Sequence, residues 1–134
     1  ETVFYWITNF KNIKKEEKNT QDELVDENVI QELLKFTDTD SLLVLLDEFA
    51  EETRALVQKI SFLEPTHQHS EILSILHTIK GNAGSFGFSG LSQRAAKLET
   101  YLKADRFQTF QKEFDDFKNY VNFLLTDYQR LIKI

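Results

Sequence analysis

LHTIKGNAGSFGFSG, Leu76 to Gly90, holds all four glycines of the 134-residue chain: Gly81, Gly84, Gly87 and Gly90. The stretch otherwise reads as helix, where an exposed glycine costs about 1 kcal/mol relative to alanine. At about 100° per residue, Ile72, Ile75, Leu76, Ile79, Ala83 and Phe86 fall within an arc of roughly 100°, which must face a core. His77 points roughly 150° from the centre of that arc. Leu73, Lys80, Gly81 and Gly84 cluster around it on the solvent side. Gly87 is placed to end the helix in a left-handed conformation, and Gly90 suits a turn or the start of the next helix. Gly81 and Gly84 lie on the face turned away from the core. They clear space beside His77 for another molecule.

Outward from this window the pattern is helical throughout. The helix with His77 is expected to begin between Thr66 and Ser70. A following helix starts with Ser89 as N-cap and turns Leu91, Ala95, Leu98 and Leu102 inward. Beyond it, Phe107, Phe110, Phe114, Phe117, Val121, Leu124, Tyr128 and Leu131 form the strongest stripe in the chain, read as core and not as a ligand box. Upstream, Leu42, Leu46, Phe49, Thr53, Leu56, Ile60 and Leu63 make another stripe, introduced by the turn and cap residues Thr37 to Asp40 and closed by Pro65. DENVIQELLKF predicts a short helix with Asp26 as N-cap and Val29, Ile30, Leu33 and Leu34 on one face. No segment alternates as a half-buried strand would. The expected fold is all-α: an antiparallel four-helix bundle over residues 21–134 with a short N-terminal helix capping one end.

Composition narrows the class. A hydrophobic fraction of 41% with 28% charged residues is ordinary for a globular domain and leaves no membrane span. The net charge of −6 argues against nucleic acid, whose binders need a basic face. Without cysteine there is no disulfide, thiolate metal site or thiol nucleophile, and a cytoplasmic setting is the default. An initiator methionine before Glu1 would be retained, so the chain is expected to be a piece of a longer protein. Residues 1–20, with the aromatic ETVFYWITNF, read as a linker or an extra segment packed on the domain, with partner docking the lesser alternative.

Several chemistries fail on spacing. Lys80 precedes Gly81, the reverse of a P-loop, and the glycines do not match G-x-G-x-x-G. His67 and Glu71, at i and i+4, could form only a weak surface metal site, with His69 pointing elsewhere; no metal site is expected. No G-x-S-x-G elbow exists. What remains is an exposed imidazole, a nucleophile that is largely neutral near pH 7, with the Lys80 ammonium one turn away. Such a pair suffices to accept and return a phosphoryl group if a partner supplies metal and activation.

HTIKGNAGSFG, His77 to Gly87, resembles the motif of the histidine-containing phosphotransfer (HPt) domain, H-x-[LI]-K-G-[SAN]-[SA]-x-x-x-G. His77, Ile79, Lys80, Gly81, Ala83 and Gly87 match at the family's spacing, and the similarity continues through LSQRAAKLE, Leu91 to Glu99. The resemblance covers about Asp26 to Ile134. It implies a four-helix bundle with a capping helix and a phosphorelay carrier without kinase activity of its own. His77 would be the phosphoryl acceptor and donor and Lys80 the phosphate neighbour. Leu73, Gly81 and Gly84 would form the docking surface for a response-regulator receiver domain, which brings Mg²⁺ and a phosphorylatable aspartate. The carrier itself needs no cofactor and is expected to be a monomer. Glu99 stands where relatives often have a glutamine that hydrogen-bonds the histidine. A carboxylate there either orients the imidazole, at the cost of repelling the phosphate, or is a solvated helix glutamate. Two alternatives share the bundle: the phosphoacceptor domain of a chemotaxis-type histidine kinase, and a helical interaction module without phosphotransfer. A hybrid sensor histidine kinase is the expected parent, with the kinase in the same chain.

Overall fold

The computed structural model describes residues 25–131, apart from the side chains of a few residues near the C-terminal end. The segment 1–20, its boundary with the bundle and the Leu131 side chain lie outside the described residues. Five helices follow in order: α1 (Glu27–Leu33), α2 (Thr39–Ser61), α3 (His69–Ser85), α4 (Ser89–Lys103) and α5 (Phe107–Leu131). Among the described residues there is no strand.

Local chemistry sets most helix ends. Asp26 accepts a hydrogen bond from the Asn28 N–H and starts α1. Asp38 accepts from the Ser41 N–H at 2.7 Å and starts α2. α2 ends in a tightened turn, in which the Phe62 and Leu63 N–H groups donate to the Lys59 and Ile60 carbonyls, and Pro65 has no N–H to offer the Ser61 carbonyl if the helix were to continue. Before α3, the Glu64 carboxylate takes hydrogen bonds from the backbone of Thr66 and His67 and from the Thr66 hydroxyl. The hydroxyl is the main cause holding that carboxyl below its ordinary range. Ser89 is not the N-cap of α4. Phe88 holds that position without a side-chain cap, because its ring is drawn fully into the core and the chain enters the helix one residue early.

The connections 62–68, 86–88 and 104–106 are short, so successive helices run antiparallel. α2 packs on α3, α3 on α4, α4 on α5 and α5 back on α2, which closes a four-helix bundle. α1 lies over the α3–α4 turn, where the Asp26 N–H donates to the Gly87 carbonyl at 2.6 Å. Gly87 has φ 86°, the left-handed end expected of it.

The core is aromatic at the capped end and along α5. Phe49 stacks on Phe88 with centroids 5.1 Å apart, and Phe110 stacks on Phe114 at 5.6 Å. The Tyr128 hydroxyl donates to Asp47, tying α5 to α2. In α2 the stripe drifts from the expected register: Val57 is buried and Leu56 is only partly so. A strict three-four alternation has a period of 3.5 residues, whereas a straight helix turns every 3.6, so the stripe drifts about 20° per heptad, roughly 40° by Leu56, and Val57 on its other side comes as close to the core. In α1 only Ile30 is fully buried; Leu33 and Leu34 rest against the core's edge. No helix among the described residues is long and apolar enough to cross a membrane.

Candidate functional site

α3 buries Ile72, Ile75, Leu76, Ile79 and Ala83, so the helix is held along one line and His77 projects from the other side. The His77 side chain is 74% exposed. Its Nδ1 lies 3.7 Å from Glu99 Oε2, outside hydrogen-bond length but within ion-pair reach. With Nδ1 turned to the protein, Nε2 is the nitrogen presented to solvent. Lys80, one turn on, places Nζ 2.9 Å from Glu99 Oε1. Its side chain is 35% exposed, so the ammonium sits between buried carboxylate and water.

Glu99 is the residue that reading the sequence left open. Its side chain is 7% exposed, which removes the solvated-glutamate alternative. A buried carboxylate needs a partner, and Lys80 supplies one from the neighbouring helix. The two oxygens divide between lysine and histidine, so His77, Lys80 and Glu99 form one connected group across the α3–α4 seam.

Ser92 completes that seam and was not singled out from sequence. Its hydroxyl donates to the Lys80 carbonyl at 3.0 Å, tying α4 to the turn of α3 that carries the site. Ser92 and Glu99 are seven residues apart and share a face of α4. That spacing is visible in the sequence, but which helix the face meets is not.

The glycines divide by surroundings. A Cβ at Gly81 would meet nothing within 4 Å, and one at Gly84 would meet only the Ser92 hydroxyl oxygen at 3.7 Å, an ordinary contact. Both positions are exposed. Among the described residues no helix needs their smallness, and none fills the space outside them. Leu73 departs from its expected place on the solvent side: it is half-buried and packed against the core. Its bulk reaches back over the edge of the apolar stripe, so only part of it is available to a partner.

The other histidines stand apart. His67 precedes α3 and pairs with Glu64 at 3.3 Å, while Glu71 pairs with Lys59, so the i, i+4 pair considered for metal does not form. His69 lies against Phe107 with centroids 6.4 Å apart. Among the described residues no group of three or more His, Cys, Asp or Glu is placed to hold a metal ion.

Residues 44–132, which span the exposed histidine and the helices that hold it, match the Hpt domain family. The chain belongs to the Hpt domain family. An Hpt domain is a phosphorelay carrier, and that is the role of this chain. The Hpt match runs from the first turns of α2 to the end of α5 and leaves α1 outside it. The chain is also similar to the phosphorelay protein LuxU of Vibrio harveyi, with 29% identity over 86 residues that cover 64% of this chain and 75% of LuxU. No solved structure matches the chain.

Proposed function

We propose that His77 is the phosphoryl carrier and that Nε2 is the reacting atom. The observation that carries this reading is the orientation of the ring: Nδ1 faces a buried carboxylate, and Nε2 faces solvent from an otherwise core-locked helix. In the accepting direction the Nε2 lone pair attacks the phosphorus of a receiver's aspartyl phosphate. The N–P bond forms as the P–O bond to the aspartate breaks, and the aspartate leaves as a carboxylate. The Nδ1 proton stays on the ring, facing Glu99. The reverse step returns the group to a receiver. Lys80 offsets the charge on the phosphoryl oxygens, and Glu99 orients the imidazole.

Mg²⁺ belongs to the receiver in this scheme. Leu73, Gly81 and Gly84 are the proposed docking surface, supported by the open space at both glycines. The site uses residues of one chain, which suits a monomeric carrier, and the similarity to a named phosphorelay protein supports exchange with a receiver. We place the carrier in the cytoplasm, where the ATP that feeds such relays is made. Incubation with a phosphorylated receiver domain, followed by site mapping, tests the assignment. An acid-labile phosphate on His77 is expected. A protein that binds the receiver equally well as His77→Ala and never carries phosphate would be an interaction module instead.

A further inference from the structure

We infer that Glu99 sets the phosphoryl-transfer potential of His77, weakening the phosphorylated state so that the carrier readily gives the group up. This rests on His77 being the carrier. Glu99 is the buried carboxylate facing His77 from α4, and Lys80 is the ammonium facing it from α3. Before phosphorylation the group is balanced, because Lys80 Nζ and Glu99 Oε1 are 2.9 Å apart and neutralise each other. Phosphorylation at Nε2 adds a dianionic phosphoryl group across the width of one ring, and with the Nδ1 proton retained the ring itself becomes cationic. The charge of the site thus goes from zero to about −1, where an amide at position 99 would take it from about +1 to zero.

Two effects of the phosphoryl group act in the same direction, and the attraction of Glu99 for the cationic ring offsets them only in part. The Glu99 carboxylate repels the phosphoryl oxygens, and it competes with them for Lys80. Glu99 is buried and held in the α3–α4 seam, so it cannot swing into water to relieve the repulsion. An amide at this position would orient the ring while imposing neither effect. The carboxylate thus raises the free energy of the phosphorylated carrier relative to the empty one. The orienting role belongs to the shape of the side chain, and the tuning role to its charge.

Phosphoramidate separates these roles without any receiver, since its N–P bond exchanges with the imidazole: phosphoramidate and His77 give phosphohistidine and ammonia. Wild type, Glu99→Gln and Glu99→Asp are equilibrated at fixed ratios of phosphoramidate to ammonia, and the phosphorylated fraction is read by intact mass. After reagent removal, the phosphohistidine lifetime is followed. Glu99→Gln is expected to raise the equilibrium constant for phosphorylation about tenfold, with solvent screening already discounted. Its lifetime should lengthen as well. Glu99→Asp, which keeps the charge, should stay near wild type in equilibrium constant. Equal constants for wild type and Gln, or a lower one for Gln, overturn the inference. So does an equal change in Gln and Asp, the signature of a structural role, and the comparison of Asp with wild type still decides if Gln does not fold. If no variant is phosphorylated at position 77, it is the carrier assignment that falls.

Discussion

Gly84 offers a perturbation whose effects on stability and on transfer should have opposite signs. It lies in the last turns of α3 with an exposed backbone, and a methyl group there meets the Ser92 oxygen at 3.7 Å, where nothing needs to move. Alanine should therefore recover the helix propensity that glycine forfeits, up to about 1 kcal/mol. In a domain of roughly 100 residues that corresponds to a rise in melting temperature of about 4 °C or slightly more. Gly84→Gln should also fold, since its longer side chain has solvent to enter. The same side chain occupies the ground a receiver must cover, so transfer from a phosphorylated receiver should fall about tenfold, the cost of overpacking a close contact. Gly87 is the internal control. Its φ of 86° and a Cβ that would stand 3.1 Å from both the Asp26 carbonyl and Val29 leave no room for alanine, and Gly87→Ala should melt below wild type. Thermal unfolding and a transfer time course on the three variants decide the matter. If Gly84→Gln melts well below wild type, the glycine serves helix packing and the clearance reasoning fails.

Lys80→Ala should slow phosphoryl transfer or shorten the phosphohistidine lifetime, and because it strips the buried Glu99 carboxylate of its ammonium it should lower the melting temperature as well. Transfer is therefore compared on protein kept well below its melting point. Unchanged kinetics and lifetime would remove Lys80 from the site. Asp38 should contribute a defined part of the acid sensitivity. Hydrogen bonds from the Ser41 backbone and hydroxyl hold its carboxyl below the ordinary value in the fold, so its contribution is present above the unfolded value and lost as pH falls through the folded one. The stability gap between wild type and Asp38→Ala should shrink below about pH 4. A gap that stays constant or widens in acid contradicts that assignment of the cap.

Legibility in the sequence followed the range of the interactions. The direction of His77 was readable because it depends only on helical geometry and on a nearby apolar arc, both local. The caps at Asp26 and Asp38 were readable for the same reason. Ser89 was misassigned because the cap competes with burial of Phe88, and that burial depends on Phe49 and Tyr128 from distant helices. Tyr120, fully buried in α5, stands three residues after Phe117 and four before Leu124, beside the stripe, and the spacing alone does not say that Arg94 of α4 lies over its ring at 4.3 Å. Glu99 shows the limit most clearly. Its spacing could nominate it, but whether it is solvated or buried turns on how α3 and α4 pack, which no local pattern reports.

The central claim is tested most directly by mapping the phosphate. Wild-type protein and His77→Gln are incubated with a phosphorylated receiver domain, digested at neutral to alkaline pH and sequenced by mass spectrometry. His77 is exposed and outside the core, so the variant should keep its melting temperature, a surface change being worth within about 0.5 kcal/mol. The expected result is a single acid-labile phosphate on His77 of the wild type and none on the folded variant. Phosphate on His67 or His69, or wild-type levels of labelling in His77→Gln, would contradict the account.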